Sequence, residues 1–154
     1  LLTLLAELPQ AFGIGSDISA EALDVARCNA RTLGLHERVG WVRGDAMACF
    51  GGPFDVLISN PPYIPSDDIR GLEPDVRDFD PRGALDGGAD GLVVYRALTS
   101  GLSRVVPNGW VFFEIGSTQA DDVVRLLAAD VQGPIEVHDD LAGLPRCVAS
   151  QTRS

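Results

Sequence analysis

Apolar positions along the chain follow two alternating rhythms. Ala22, Leu23, Ala26, Ala30 and Leu33 recur every three or four residues, which predicts a helix over 20–33 with Ser19 as N-cap and Gly34 as C-cap. Residues 2–8 read as the end of an earlier helix, stopped by Pro9. Between them, residues 11–16 read as a short strand ending at Asp17, and residues 39–42 as another ending near Asp45. Residues 54–59 (FDVLIS) and 110–115 are nearly continuous apolar runs, which predicts strands buried on both faces. Residues 92–106 and 118–129 read as helices, and 135–138 with 146–150 as a terminal antiparallel pair. Alternation of this kind predicts an α/β domain with a doubly wound sheet, covering residues 1–154.

One stretch breaks the rhythm. Residues 60–91 are rich in Pro, Gly and Asp, and a loop of that length in a compact domain is functional or disordered. In doubly wound sheets the ligand crevice lies at the carboxyl ends of the strands. Asp17, Asp45, Asn60 and Glu114 or Gly116 all fall at such ends, so four strand ends carry polar or backbone-exposing positions.

Asn60-Pro61-Pro62-Tyr63 follows the strand FDVLIS directly. A planar amide or exocyclic amine nitrogen is a poor nucleophile because its lone pair is delocalised. The Asn60 side-chain oxygen can accept one of its N–H groups and the Pro61 carbonyl the other. Two acceptors fix the nitrogen and aim its lone pair at the methyl of a sulfonium. Pro62 stiffens the turn, and the Tyr63 ring can pack against a flat target group. The competing structural reading is a rigid turn with an Asn cap and a packed Tyr. Asp17 is placed to accept ribose hydroxyls, and Asp45 an adenine amine with Ala46 flanking the ring; for both, an ordinary turn carboxylate is the alternative.

Composition narrows the partners. A formal net charge of −10 disfavours any ligand held through many phosphates but not a protein with a basic surface. Cys28, Cys49 and Cys147 are widely spaced, which argues against a metal site or a disulfide framework and for reduced thiols in a cytoplasmic protein. No apolar run reaches the roughly 20 residues of a membrane span. Leu1 starts the chain without a basic flank or cleavage site, so it reads as the inside of a helix rather than a signal peptide. Gly13 and Gly15 form a G-x-G inside a strand rather than after one, so they are not a cofactor loop. His36 and His138 lack partners at catalytic spacing, and Trp41 and Trp110 read as packing residues.

These residues resemble the release-factor glutamine N5-methyltransferases of bacteria. The likeness runs through residues 15–30 (GSDISAEALDVARCNA) and 54–65 (FDVLISNPPYIP). It continues through Glu73-Pro74, Phe79-Asp80-Pro81 where the family usually has Phe-Glu-Pro, and residues 84–92 (ALDGGADGL). It ends with Glu114-Ile115-Gly116, Asp139, Gly143 and Arg146. The long loop is the more discriminating part, because the tetrad also occurs in nucleic-acid adenine N6-methyltransferases.

The resemblance implies a Rossmann-like class I fold, S-adenosylmethionine as methyl donor, and the glutamine of the Gly-Gly-Gln motif of peptide chain release factors as acceptor. It implies that Asn60, Pro61, Pro62 and Tyr63 form the catalytic and substrate-binding set, with no metal. Asp17, Asp45, Ala46 and Asn60 form the donor-binding set. A monomer with no nucleic-acid or membrane partner is expected.

The family also carries an N-terminal helical domain, a first strand and a glycine-rich loop, and this chain begins just after that loop. The expectation is therefore an incomplete catalytic domain with weak or no activity, since a central strand contributes much of the ~5–15 kcal/mol of a domain. Calorimetric titration of S-adenosylmethionine into this chain and into one extended upstream tests that: equal micromolar affinity would sink it. Two other readings stay open, a methyltransferase acting on a ribosomal-protein glutamine or on adenine, and a non-catalytic interaction domain.

Overall fold

Glycine spacing, capping chemistry and two-residue alternation decide where the elements fall. The structure, a computed structural model, describes residues 1–154, which divide into two compact units, Leu1–Phe50 and Gly51–Ser154.

In the first unit, α1 (Leu2–Glu7) leads to β1 (Gly13–Asp17), α2 (Ala20–Thr32) and β2 (Val39–Arg43). The Ser19 hydroxyl accepts the Ala22 amide at 3.1 Å and so caps α2 as expected. Gly34, at φ +69°, takes the left-handed turn that ends the helix. β1 and β2 run parallel in register from Gly13↔Val39 to Asp17↔Arg43. The two glycines of the G-x-G are packing positions: a Cβ at Gly15 would collide with the Trp41 ring, and one at Gly13 with the Leu1 side chain. Leu5, Leu23, Ala30, Leu35 and Met47 are the buried apolar side chains of this unit.

Arg38 ties α1 to the rest of the unit. Its guanidinium donates to the carbonyls of Leu5 (2.7 Å), Leu8 (3.1 Å) and Ala11 (3.0 Å), satisfying acceptors that a helix end leaves open. Arg38→Ala is expected to cost about 2 kcal/mol locally, read as roughly thirtyfold faster exchange of the Leu8 amide hydrogen. Arg38→Lys should restore only part of this, because an ammonium cannot fork across three carbonyls.

The second unit holds a four-stranded sheet in the order β3-β4-β6-β5. Its strands are β3 (Val56–Ser59), β4 (Trp110–Glu114), β5 (Glu136–Asp139) and β6 (Pro145–Gln151). β3 and β4 are parallel, whereas β6 runs antiparallel to both β4 and β5. The helices are α3 (Pro74–Phe79), α4 (Arg82–Leu85), α5 (Val93–Thr99), α6 (Leu102–Val105) and α7 (Ala120–Leu127). The core gathers Tyr95, Leu98, Leu102, Val111, Phe113, Val123, Leu127 and Val148. The Tyr95 ring tilts against Phe113 with centroids 5.9 Å apart.

Three expectations change here. The apolar runs of β3 and β4 are not buried on both faces. Val56, Ile58 and Trp110 are 48%, 51% and 43% exposed, while Val111 and Phe113 on the alternate positions are fully buried. Period-two geometry puts the first set on the face away from Tyr95, where Trp110 and Phe112 stack only on each other, 6.1 Å apart. The helix expected over 92–106 is two helices, because Gly101 at φ +96° interrupts it. Residues 60–91 are neither a bare loop nor disordered: they contain a 3-10 turn at Asp68–Gly71, then α3 and α4, and a parallel bridge between Ile64 and Asp86. No helix is long and apolar enough to cross a membrane.

Candidate active site

The tetrad begins where the β3 ladder stops. Ser59 pairs with Phe113 as the last register of β3, and Asn60 emerges exposed while Pro61 is buried and Pro62 and Tyr63 are half-buried. Neither the Asn60 side chain nor the Pro61 carbonyl is hydrogen-bonded within the chain. Both acceptors are thus left for a ligand. A cavity of about 410 Å³ lies over them, lined by Asn60, Pro61, Tyr63, Ile64, Asp80, Pro81, Ala84 and Leu85. The tetrad and the segment around Asp80-Pro81 therefore share one cavity, which joins two motifs separated by some twenty positions in sequence. Asn60 also borders a second cavity of about 220 Å³ with Ile58, Phe112, Glu114, Arg146 and Cys147. Glu114 accordingly lies near Asn60, as their strand ends suggested.

The cavity's outer wall is wired to the tetrad by backbone bonds. The Ile64 amide donates to Leu85 (3.0 Å), Gly87 to Ile64 (2.9 Å) and Ser66 to Gly88 (2.9 Å). Asp86 clamps this crossing: its carboxylate accepts the Ser66 hydroxyl at 2.6 Å, the Gly88 amide at 3.0 Å and Arg82 at 3.0 Å. The Ser66 hydroxyl, first, and the Gly88 amide hold its pKa below the usual carboxylate value. Tyr95, buried beneath, donates its hydroxyl to the Glu114 carbonyl at 2.6 Å, and burial pushes its pKa up.

Asp90 closes the segment. It accepts from Arg96 and from the Leu92 amide, and these two bonds, Arg96 first, lower its pKa from 3.8 to about 2. A depressed carboxylate pKa contributes stability that is present above the unfolded value and lost as pH falls through the folded value. The loss from Asp90 should therefore fall between about pH 4 and pH 2. Exchange of the Leu92 amide should quicken across that window in the wild type and change less in Asp90→Asn.

Apart from Asn60, the donor-side candidates lie in the first unit. Asp17 ends β1 and Asp45 follows β2, and the Gly44 amide donates to the Asp17 carbonyl at 3.1 Å, so the two carboxylates stand at the same end of one parallel pair. Both are exposed. One Asp17 oxygen accepts the Ser19 amide at 2.8 Å, so the turn role and an acceptor role coexist in this side chain. Asp45 starts a 3-10 turn without capping it through its side chain. Ala46 takes φ +43°, a left-handed backbone rare for a residue with a Cβ. Such strain of about 1–3 kcal/mol concentrates at binding sites.

Gln119 falls inside the helix expected over 118–129 and carries no functional expectation from sequence. The structure starts α7 two residues later, at Ala120, and buries Gln119 to 8% exposure. A polar residue where the apolar period begins was the one signal available. Asp86 and Asp90 were seen as letters of a motif, but their clamping roles depend on partners that only the fold brings near.

A family model described as RMKL-like, methyltransferase domain, matches residues 5–67. A release factor glutamine methyltransferase of Rhodospirillum rubrum is 48% identical over 155 residues, covering 100% of this chain and 48% of that protein. One from Bradyrhizobium diazoefficiens is 46% identical, covering 98% of this chain and 52% of that protein. Among solved structures, a predicted O-methyltransferase from Agrobacterium tumefaciens superposes with TM-score 0.68 at 15% identity, covering 99% of this chain and 68% of the other. The fold is thus the Rossmann-like α/β fold of such methyltransferases. The chain spans about half the length of the curated relatives it matches, and along its whole length it is similar to the release factor glutamine methyltransferases.

Proposed function

We propose that this chain carries the acceptor site and part of the donor site of a protein-glutamine N-methyltransferase. The names of its relatives suggest a glutamine of a release factor as acceptor, and the motif resemblance given above implies the side-chain amide of the glutamine in a Gly-Gly-Gln sequence. The observation that carries the reading is the pair of unengaged acceptors, Asn60 and Pro61, opening into the cavity walled by Asp80, Pro81, Ala84 and Leu85. A primary amide has two N–H donors on one nitrogen, and two preset acceptors fix both. Pro61 and Pro62 keep those acceptors rigid, so little ordering is left for the moment of reaction. Tyr63 supplies a flat apolar wall to the cavity.

S-adenosylmethionine fits the first unit by its donor chemistry: ribose hydroxyls and an adenine amine are hydrogen-bond donors, and the exposed carboxylates of Asp17 and Asp45 accept only. When bound, it supplies an electrophilic methyl on a sulfonium. Asn60 and Pro61 would hold the two amide hydrogens and so fix the orientation of the acceptor nitrogen. The protein-side partner is favoured over nucleic acid by charge: residues 60–91 carry eight acidic side chains against three arginines, a field that repels phosphate. The partner, in turn, presents basic groups beside its glutamine.

The test is methyl transfer from tritiated S-adenosylmethionine to three substrates: a release factor, a ribosomal protein and duplex DNA. Label in the release factor, lost when its Gly-Gly-Gln glutamine is replaced, supports the reading. Label in DNA and none in protein rejects it.

A further inference from the structure

We propose that Gln119 is a positioning residue that holds the catalytic tetrad in its working shape. The Asn60-to-Tyr63 segment has an unusual anchoring problem. Pro61 and Pro62 have no N–H to donate, so two successive residues cannot be tied down through their amides. The near end is secured by the β3–β4 ladder, where Ser59 pairs with Phe113. The far end is secured by Gln119, whose Nε2 donates to the Tyr63 carbonyl at 2.9 Å and to the Gly91 carbonyl at 3.3 Å. Its Oε1 accepts the Gly116 amide at 3.0 Å, just beyond β4.

One side chain thus joins the tetrad, the end of the long segment and the turn after β4. Every partner is main chain, and together they use both amide donors and the oxygen. Only one orientation of the amide fits, because two partners accept and one donates. Gln119 stands at the N-cap position of α7 yet makes no side-chain cap bond. Its hydrogen-bonding capacity goes to the tetrad rather than to its own helix, where Ser, Thr, Asp or Asn is the usual choice. At 8% exposure the bonds are shielded from water, so losing them leaves buried carbonyls unpaired. Gly91, at φ +73°, lets the backbone come this close: a Cβ there would collide with the Tyr63 carbonyl and the Gln119 amide. The catalytic consequence rests on the reading of Asn60 and Pro61 as amide acceptors; the mechanical one does not.

The experiment uses the 154-residue protein and two variants of nearly unchanged volume, Gln119→Met, which removes all three bonds, and Gln119→Glu, which replaces the two-hydrogen donor by an oxygen. Amide hydrogen exchange and methyl transfer are both measured. In each variant the amides of Ile64, Ser66, Gly87 and Val93 should exchange at least about tenfold faster, while those of Phe113 and Val148 keep wild-type rates. Turnover on a Gly-Gly-Gln substrate should fall about a hundredfold with the KM for the methyl donor unchanged. Wild-type exchange over 64–93, or equal acceleration at Phe113 and Val148, overturns the proposal. Full turnover in both variants overturns it as well. If the wild type itself transfers no methyl to that substrate, the exchange pattern alone decides the role of Gln119.

Discussion

Replacing Asn60 with alanine is expected to lower methyl transfer to a Gly-Gly-Gln substrate by about a hundredfold or more, with the unfolding midpoint unchanged. The rate effect follows from losing one of two acceptors that orient the nitrogen. Misplacing a reacting atom by about 1 Å costs on the order of a hundredfold, and removing a preorganised polar group at a reacting centre costs about 10²–10³. The stability effect is small because Asn60 is exposed and makes no side-chain hydrogen bond within the chain. Exposed substitutions away from caps and cores stay within about 0.5 kcal/mol. The loss should appear in kcat more than in the KM for the donor, whose other candidate residues, Asp17, Asp45 and Ala46, lie in the other unit. Asn60→Ala turning over within threefold of wild type would remove Asn60 from the mechanism.

Gly91→Ala should produce the largest stability loss of any single methyl addition near the site, about 3 kcal/mol or more in the second unit. Two costs combine. The backbone sits at φ +73°, where an L side chain is strained by about 1–3 kcal/mol. The added Cβ also collides with the Tyr63 carbonyl and the Gln119 amide, and relieving that overlap breaks the bonds joining residues 63, 91 and 119. Gly71, in the same long segment, offers a control, since nothing stands within 4 Å of a Cβ placed there, and Gly71→Ala should change little. Chemical unfolding followed by the near-ultraviolet signal of the second unit's Trp110, Tyr63 and Tyr95 measures both. Equal midpoints for the two variants would contradict the close approach at Gly91.

The sequence by itself determined the elements whose cause is local. Ser19 caps α2 because its hydroxyl reaches an amide three residues on, and Gly34 ends it because glycine tolerates the left-handed turn. From its place inside a strand the G-x-G was legible as no cofactor loop, and the structure makes it a packing pair. The tetrad was legible for a similar reason: two prolines after an apolar run stiffen a short backbone locally. Tertiary structure decided the rest. Whether β3 is covered on one face or two depends on which helices lie against it, and a run of apolar letters carries no record of that. Gly101 splits the helix after residue 92 through a backbone angle, since a lone glycine in a helical pattern is compatible with either outcome. Gln119 meets Tyr63 across 56 residues of chain, and Asp86 meets Ser66 across 20. Hydrogen bonds at such separations come from folding, because only burial brings their donors and acceptors together and makes leaving them unpaired costly. The residues proposed to touch the amide could thus be read in one dimension, and those proposed to hold them in place required three.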